Sequence, residues 1–290
     1  VAKAKIDPTW HYIRHGVDEG RAYKAFKIVG AEFFSNNKET VVIVSHEASR
    51  TGAPILSLNL AKDFSDRYNV LSFVLHDGVL ENNFVFNGAG VVSLNGIKHD
   101  EDLVNFSISK ITKLFNVKFA VVNSIESRVV LEGFSKNGVP TVTLIHEFAA
   151  YTRPADAFST TFFWSDEVVF SADIVRDNAL LTYPYLINRV THIIPQGRCF
   201  LPVEDMSCDD IERERDYIRS LVRPADLPES TKRILGAGFV QIRKGIDLFV
   251  ECATRVINSP GGENCRFVWI GKGYDPEGDI AYSVYIKDQI

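Results

Sequence analysis

The sequence has one methionine and only four cysteines among its 290 residues. No pair of Cys199, Cys208, Cys252 and Cys265 has C-x-x-C spacing, which excludes a zinc ribbon and a dithiol redox motif. The four read as buried small apolar groups in a reducing compartment. No apolar run approaches the roughly 18 residues that span a bilayer. The N-terminus, Val1-Ala2-Lys3-Ala4-Lys5, has no apolar stretch behind its charges and is not read as a signal peptide. The chain does not begin with Met and reads as a processed product or a fragment. Positive charge is not in excess: the net charge is −5, which argues against nucleic-acid binding driven by bulk charge. Enzyme signatures are missing too. There is no G-x-S-x-G elbow and no Walker A lysine. Neither His46-Glu47 nor His146-Glu147 has a second histidine four residues on, so H-E-x-x-H zinc chemistry is absent and no metal site is expected. Gly236-Ala237-Gly238 lacks the third glycine of a dinucleotide fingerprint, and no acidic residue ends the next strand. Asn105-Phe106-Ser107 fits a glycosylation sequon and reads as chance.

What is present is ordinary globular composition, 46% apolar and 24% charged, too apolar for disorder and long enough for about two domains. Residues 1–30 are an outlier: aromatics crowd a helix-like stretch at 7–16 and a turn follows, as in a small appendage or the end of an upstream module. From residue 40 the pattern alternates. Short β-branched runs at 40–45, 70–75, 90–94, 119–123, 141–145, 167–170 and 192–194 read as strands. Helical spacing at 54–68, 103–115 and 126–136, with a further helix between the last two strands, reads as crossovers. That alternation predicts a doubly wound parallel α/β domain over 31–200. Residues 201–232, punctuated by Pro202, Pro224 and Pro228, read as a linker with a mixed-charge helix at 209–223. The alternation restarts at 233: a strand over 234–240, a helix over 246–257, a strand over 267–270. A whole Rossmann-like domain needs roughly 100 residues, so 233–290 reads as the truncated start of a second one.

Ligands of open α/β sheets bind beyond the C-terminal ends of the strands. Three such ends hold candidate chemistry. The loop Ser45–Pro54 leads into a helix. There Thr51 can cap, Gly52 permits close backbone approach, and free amides would suit an anionic or polyhydroxyl ligand; an ordinary strand–helix turn fits equally. His146-Glu147 ends another strand, as a ligand donor or as a structural pair. Arg243-Lys244-Gly245 lies just ahead of a helix N-terminus, where cations are disfavoured by the helix dipole. Two of them there suggest a bound anion, and with the helix amides they would make a diphosphate clamp. Gly271 and Gly273 follow the last strand and could let a ligand approach.

Taken together, SHEASRTGAPILSLNLA, VNSIESRVVLEGFSKNGVPTVTLIHEF, ILGAGFVQIRKGIDLFVECA and FVWIGKG resemble segments of the retaining GT-B glycosyltransferases of family 4, which assemble bacterial polysaccharides and glycolipids. The resemblance covers about 40–290, and DPTWHYIRHGVDEGR is similar to the tail of a module found ahead of such enzymes. It implies two Rossmann-like domains across a cleft, the first for the acceptor and the second for a nucleotide-diphosphate sugar. By the resemblance, Lys244 and Arg243 neutralise the diphosphate, His146 contacts the transferred sugar, and Gly52 approaches sugar and diphosphate. Thr51, Glu147, Gly271 and Gly273 would line the cleft. It implies no cofactor and no metal beyond the donor substrate, and no nucleic-acid partner. It also implies a glycan or lipid-linked acceptor and a cytoplasmic location that admits peripheral association with the inner face of a membrane. Two departures stand out. The family's Gly-Arg pair after the second domain's first strand is Gly238-Phe239 here. The family's donor-binding glutamate pair would fall beyond Ile290, so residues 1–290 alone are expected to bind donor poorly. A non-catalytic GT-B-like glycan-binding or assembly subunit, or a sugar-nucleotide epimerase, are the alternatives.

Overall fold

The computed structural model describes residues 28–202, 207–279 and 281–290, together with His11 and His15. The stretch read at 7–16, those two histidines apart, and the turn at 17–21 lie outside these residues. The chain divides into two compact units, Val1–Pro202 and Val203–Ile290.

The first unit carries an eight-stranded sheet. Its strands are β1 (Ile28–Val29), β2 (Thr40–Ser45), β3 (Asn69–Val74), β4 (Ala89–Ser93), β5 (Val117–Asn123), β6 (Thr141–Ile145), β7 (Glu167–Phe170) and β8 (Thr191–Ile193). Their order across the sheet is β1-β4-β3-β2-β5-β6-β7-β8. All pairings are parallel except the edge strand β1, where Ile28 faces Val92 across an antiparallel pair. β1 escaped the sequence reading because a two-residue strand has no periodicity to show.

Why this sequence makes a sheet covered on both sides is visible in β2. Successive side chains of a strand point to opposite faces. Val42 and Val44 pack with Leu71, Phe73, Val104, Ile108 and Phe134 on one face. Val41 and Ile43 pack with Ile55, Leu58, Ala61 and Phe84 on the other. Both faces are dry, so the strand shows an unbroken apolar run, not an alternating one. The covering helices are α1 (Gly52–Ser65), α2 (Glu81–Phe86), α3 (Glu101–Phe115), α4 (Leu131–Lys136), α5 (Ala157–Trp164) and α6 (Asp173–Thr182). α1 and α2 serve the Val41 face, α3 and α4 the Val42 face. The crossover read as one helix over 126–136 begins as a 3-10 turn, Ile125–Val130, before α4. It starts tightly because the Ser124 hydroxyl takes the Glu126 amide at 3.2 Å.

The second unit holds α7 (Cys208–Val222), β9 (Lys232–Ala237), α8 (Ile246–Ile257), β10 (Cys265–Ile270) and α9 (Tyr282–Gln289). β9 and β10 pair in parallel with α8 as the crossover, and Val240, Ile246 and Ile286 form its small core with Val250, Trp269 and Tyr282. α7 buries none of its residues, so Cys208, read as buried, is exposed, as is Cys252 of α8. Its charges pair along the helix instead, Arg213 with Asp210 and Arg219 with Asp216. No helix among the described residues is long and apolar enough to cross a membrane.

Candidate functional site

The strand order of the first unit reverses between β2 and β5. Loops leaving two such strands run in opposite directions and open a crevice at their C-terminal ends. Four sequence-predicted residues of this unit, Thr51, Gly52, His146 and Glu147, come to that edge.

Buried Asn123, the last residue of β5, organises it. Its amide donates to the Ala53 carbonyl at 2.7 Å and to Ser57 Oγ at 2.8 Å. Its Oδ1 lies 2.7 Å from His146 Nε2. The other ring nitrogen of His146, Nδ1, meets the side-chain amide of Gln196. Gln196 arrives from the segment after β8, which returns over this edge to α1. Asn59 pins that segment, donating to the Phe200 carbonyl and accepting from its amide, both at 2.9 Å. Arg50 donates to the Pro202 carbonyl at 3.0 Å.

Glu147 holds the backbone on the far side of His146. It accepts from Ser124 Oγ, from the His146 amide at 3.0 Å and from the Ile125 amide at 3.4 Å. Ser124 needs holding: its φ of 73° is a left-handed conformation costly for a residue with a side chain. Glu147 thus supports the site's backbone through these bonds.

Thr51 behaves differently from the capping role its type suggests. It occupies the N-cap of α1 but makes no side-chain cap bond. Its hydroxyl turns to Glu47 at 3.2 Å, because that carboxylate also gathers Ser49 and lies within 3.6 Å of His46 Nε2. The first turn of α1 therefore keeps amides without a side-chain cap. Gly52 stands there, and a Cβ built on it would meet nothing within 4 Å. No neighbour among the described residues demands a glycine at this point. Gly52→Ala is accordingly expected to change stability by no more than about 1 kcal/mol. If a ligand approaches that backbone, the same change weakens its binding about tenfold, a crowding of ~1.4 kcal/mol. A thermal melt and ligand titrations on the variant check both halves.

Beside this edge lies a cavity of about 580 Å³, bounded by His46, His76, Lys98, Arg128, Asp156 and Trp164, among others. Its carboxylates outnumber its cations. Nδ1 of His46 is buried without a hydrogen-bond partner among the described residues.

Burial pushes His146 below its ordinary value, the Glu147 carboxylate partly opposes this, and His46 adds to the lowering. Burial disfavours ionisation of Glu47, but the Ser49 hydroxyl, His46 and the Thr51 hydroxyl together hold its carboxyl below the ordinary range. Lys136 does the same for Glu132 against a smaller burial effect. Acid should therefore destabilise the fold in two stages. As pH falls below 6.5, the unfolded chain protonates its histidine before folded His146 does, and stability drops. The carboxylates contribute fully above 4.5 and lose that contribution as pH falls through their lowered values. Urea melts across this range should show both stages, and His146→Gln should abolish the first.

In the second unit the remaining predicted residues meet at the C-terminal ends of β9 and β10. Arg243 and Lys244 sit in a 3-10 turn, Ile242–Lys244, immediately ahead of α8. Both are exposed, and neither side chain forms an ion pair or hydrogen bond among the described residues. Gly271 and Gly273 are accounted for by packing. A Cβ on Gly271 would fall 1.8 Å from the Gly238 carbonyl oxygen, and one on Gly273 2.6 Å from the Phe239 ring. Gly273 also has a φ of 93°, so these glycines seat the Gly238-Phe239 loop against β10.

Sequence reasoning missed Asn123, Ser124 and Gln196. Asn123 left one trace, a polar residue ending an apolar strand. The other two left none, since a positive φ and a contact across fifty positions are not written locally.

No family model matches the chain, and no curated protein matches it. Solved structures do. Anabaena Alr3699/HepE in complex with UDP and glucose superposes with a TM-score of 0.61 at 14% identity, over 87% of this chain and 65% of that one. The lipopolysaccharide outer core galactosyltransferase WaaB gives 0.53 at 12%, over 87% and 66%. A trehalose-6-phosphate synthase gives 0.51 at 13%, over 86% and 67%. The chain thus spans about 65% of the length of the HepE structure. At such identities the likeness speaks of architecture: this is an α/β chain of the GT-B fold.

Proposed function

We propose that this protein is a glycosyltransferase that moves a sugar from a nucleotide-diphosphate donor to a glycan or lipid-linked acceptor, with retention of anomeric configuration, as a member of family 4. The observation carrying the proposal is the pair Arg243 and Lys244. Two exposed cations that pair with nothing among the described residues stand at a helix N-terminus, at the strand ends where an α/β unit binds ligands. Similar structures hold UDP-glucose or UDP, and the synthase structure concerns glycosyl transfer with retention.

In this reading the barrier includes negative charge building on the departing diphosphate. Fixed cations and helix amides aimed at that charge stabilise the transition state, on the order of 3 kcal/mol for each well-placed group. Arg243 also stands in for the arginine that Phe239 replaces. Gly52 and the uncapped amides of α1 approach the donor, and His146 contacts the transferred sugar, with Thr51 and Glu147 shaping its surroundings. The cavity beside His46 is the place for the acceptor, and its carboxylate excess favours a neutral saccharide end over a phosphorylated one. No cofactor or metal is invoked. The protein is assigned to the cytoplasm, with peripheral association at the membrane where a lipid-linked acceptor would lie.

The test is full-length protein incubated with a panel of nucleotide sugars and glycan or lipid-linked acceptors, with the anomeric configuration of the product read by proton NMR. Consumption of one donor with retention is the expected result. No donor consumed, together with no change in nucleotide binding on Lys244→Ala, overturns it.

A further inference from the structure

Asn123 can be oriented in one way only. The Ala53 carbonyl can only accept a hydrogen bond, so the Asn123 NH2 must face it. Its Oδ1 then faces His146 Nε2 at 2.7 Å, and an amide oxygen can only accept. The proton of His146 is therefore on Nε2, and Nδ1 presents a lone pair. The Gln196 amide, which meets Nδ1, donates to it. Each member of the chain Ala53–Asn123–His146–Gln196 thus has its role set by the one before, starting from a backbone carbonyl that cannot change.

The surroundings maintain this state. Asn123 is fully buried, and its own carbonyl accepts from Ser127 Oγ at 2.7 Å. The charged and titratable groups facing His146 are Glu147 beside it and His46 from the β2 end. At the other end of the chain, Gln196 is exposed and lies on a loop. It is the one member that can leave without opening the core.

We infer that Asn123 is a positioning residue that locks His146 as the Nε2–H tautomer, and that Gln196 is a placeholder on Nδ1 that a donating sugar hydroxyl displaces. The hydroxyl part rests on the transferase reading; the tautomer part does not. Under this inference His146 accepts a hydrogen bond from the sugar and does not donate one. A hydroxyl can supply that proton, whereas a methoxy or deoxy position cannot.

Nitrogen-15 NMR of the imidazole ring in the protein, near neutral pH, decides the tautomer. The expected spectrum has a protonated, pyrrole-like Nε2 and an unprotonated Nδ1. The Gln196→Ala protein, altered at an exposed position, should keep that signature, because Asn123 sets it; Asn123→Ala should give a mixture. With the donor that the full-length protein consumes, Gln196→Ala should lower KM about 2- to 10-fold at little change in kcat, since a neutral hydrogen bond no longer competes. A proton on Nδ1 in the unaltered protein overturns the inference. So does a tautomer that switches in Gln196→Ala, or a KM that rises there. If the tautomer is as expected but no nucleotide sugar is consumed, the transferase reading fails while the orienting role of Asn123 stands.

Discussion

On the proposed transferase reading, replacing both Arg243 and Lys244 with alanine is expected to lower kcat/KM for the nucleotide-sugar donor by about four orders of magnitude, with the protein still folded. The size follows from the charge each would neutralise. A donor placed against transition-state charge contributes on the order of 3 kcal/mol, about a hundredfold in rate. Two acting on neighbouring phosphates approach the product of the two, less any sharing between them. The fold should survive because neither side chain is buried or paired among the described residues. The Lys244 stem lies over Gly238. Single variants should each lose about a hundredfold, and Arg243→Lys should recover part of its share as a point charge without the bidentate fork. Because exposed charges are screened, nucleotide binding by the unaltered protein should weaken as salt rises, and the double variant should lose that dependence. Circular dichroism establishes that the variants are folded, and steady-state kinetics gives the ratio. A double variant within tenfold of the parent would place the diphosphate elsewhere.

The second large effect is on stability and comes from Glu147. Removing its side chain in Glu147→Ala strands the Ser124 hydroxyl and the amides of His146 and Ile125 together. Hydrogen bonds to a charged partner contribute about 1.5–3 kcal/mol each. The site is partly buried, so water takes over some of the loss, and an overall cost of about 3 kcal/mol is expected. Ser124 would then lose the bond that helps keep it at φ 73°. The 3-10 turn Ile125–Val130 should fray with it, because that turn starts from the Ser124 hydroxyl. Glu147→Gln keeps the shape and one acceptor oxygen, so it should recover roughly half of the loss. Denaturant melts give the free energy, and hydrogen exchange at 125–130 reports the fraying. A loss below about 1 kcal/mol would show that the backbone holds its left-handed turn unaided.

Arg243 and Lys244 stand out in the one-dimensional sequence, because cations ahead of a helix run against the helix dipole. Glu147 was legible as a residue at a strand end, but not as the carboxylate that fixes a strained serine twenty-three positions earlier. Thr51 illustrates the reverse: its type and position spoke for a cap, yet its hydroxyl serves Glu47 instead. Gly271 and Gly273 looked like openings for a ligand, and packing against the Gly238 carbonyl and the Phe239 ring accounts for them.

What the amino-acid sequence determined by itself is the succession of strands and crossovers. Burial on both faces writes an unbroken β-branched run, burial on one face of a helix writes its spacing, and parallel pairing then follows from the short connections. Which strands stand next to each other was decided only by the tertiary structure. The reversal of order between β2 and β5 brings Gly52, Asn123 and His146 to one edge, and the return of the chain over α1 lays Gln196 upon it. Those contacts join residues far apart along the chain. Their energies depend on hydrogen-bond geometry measured in tenths of an ångström, and local propensity and periodicity carry no record of that.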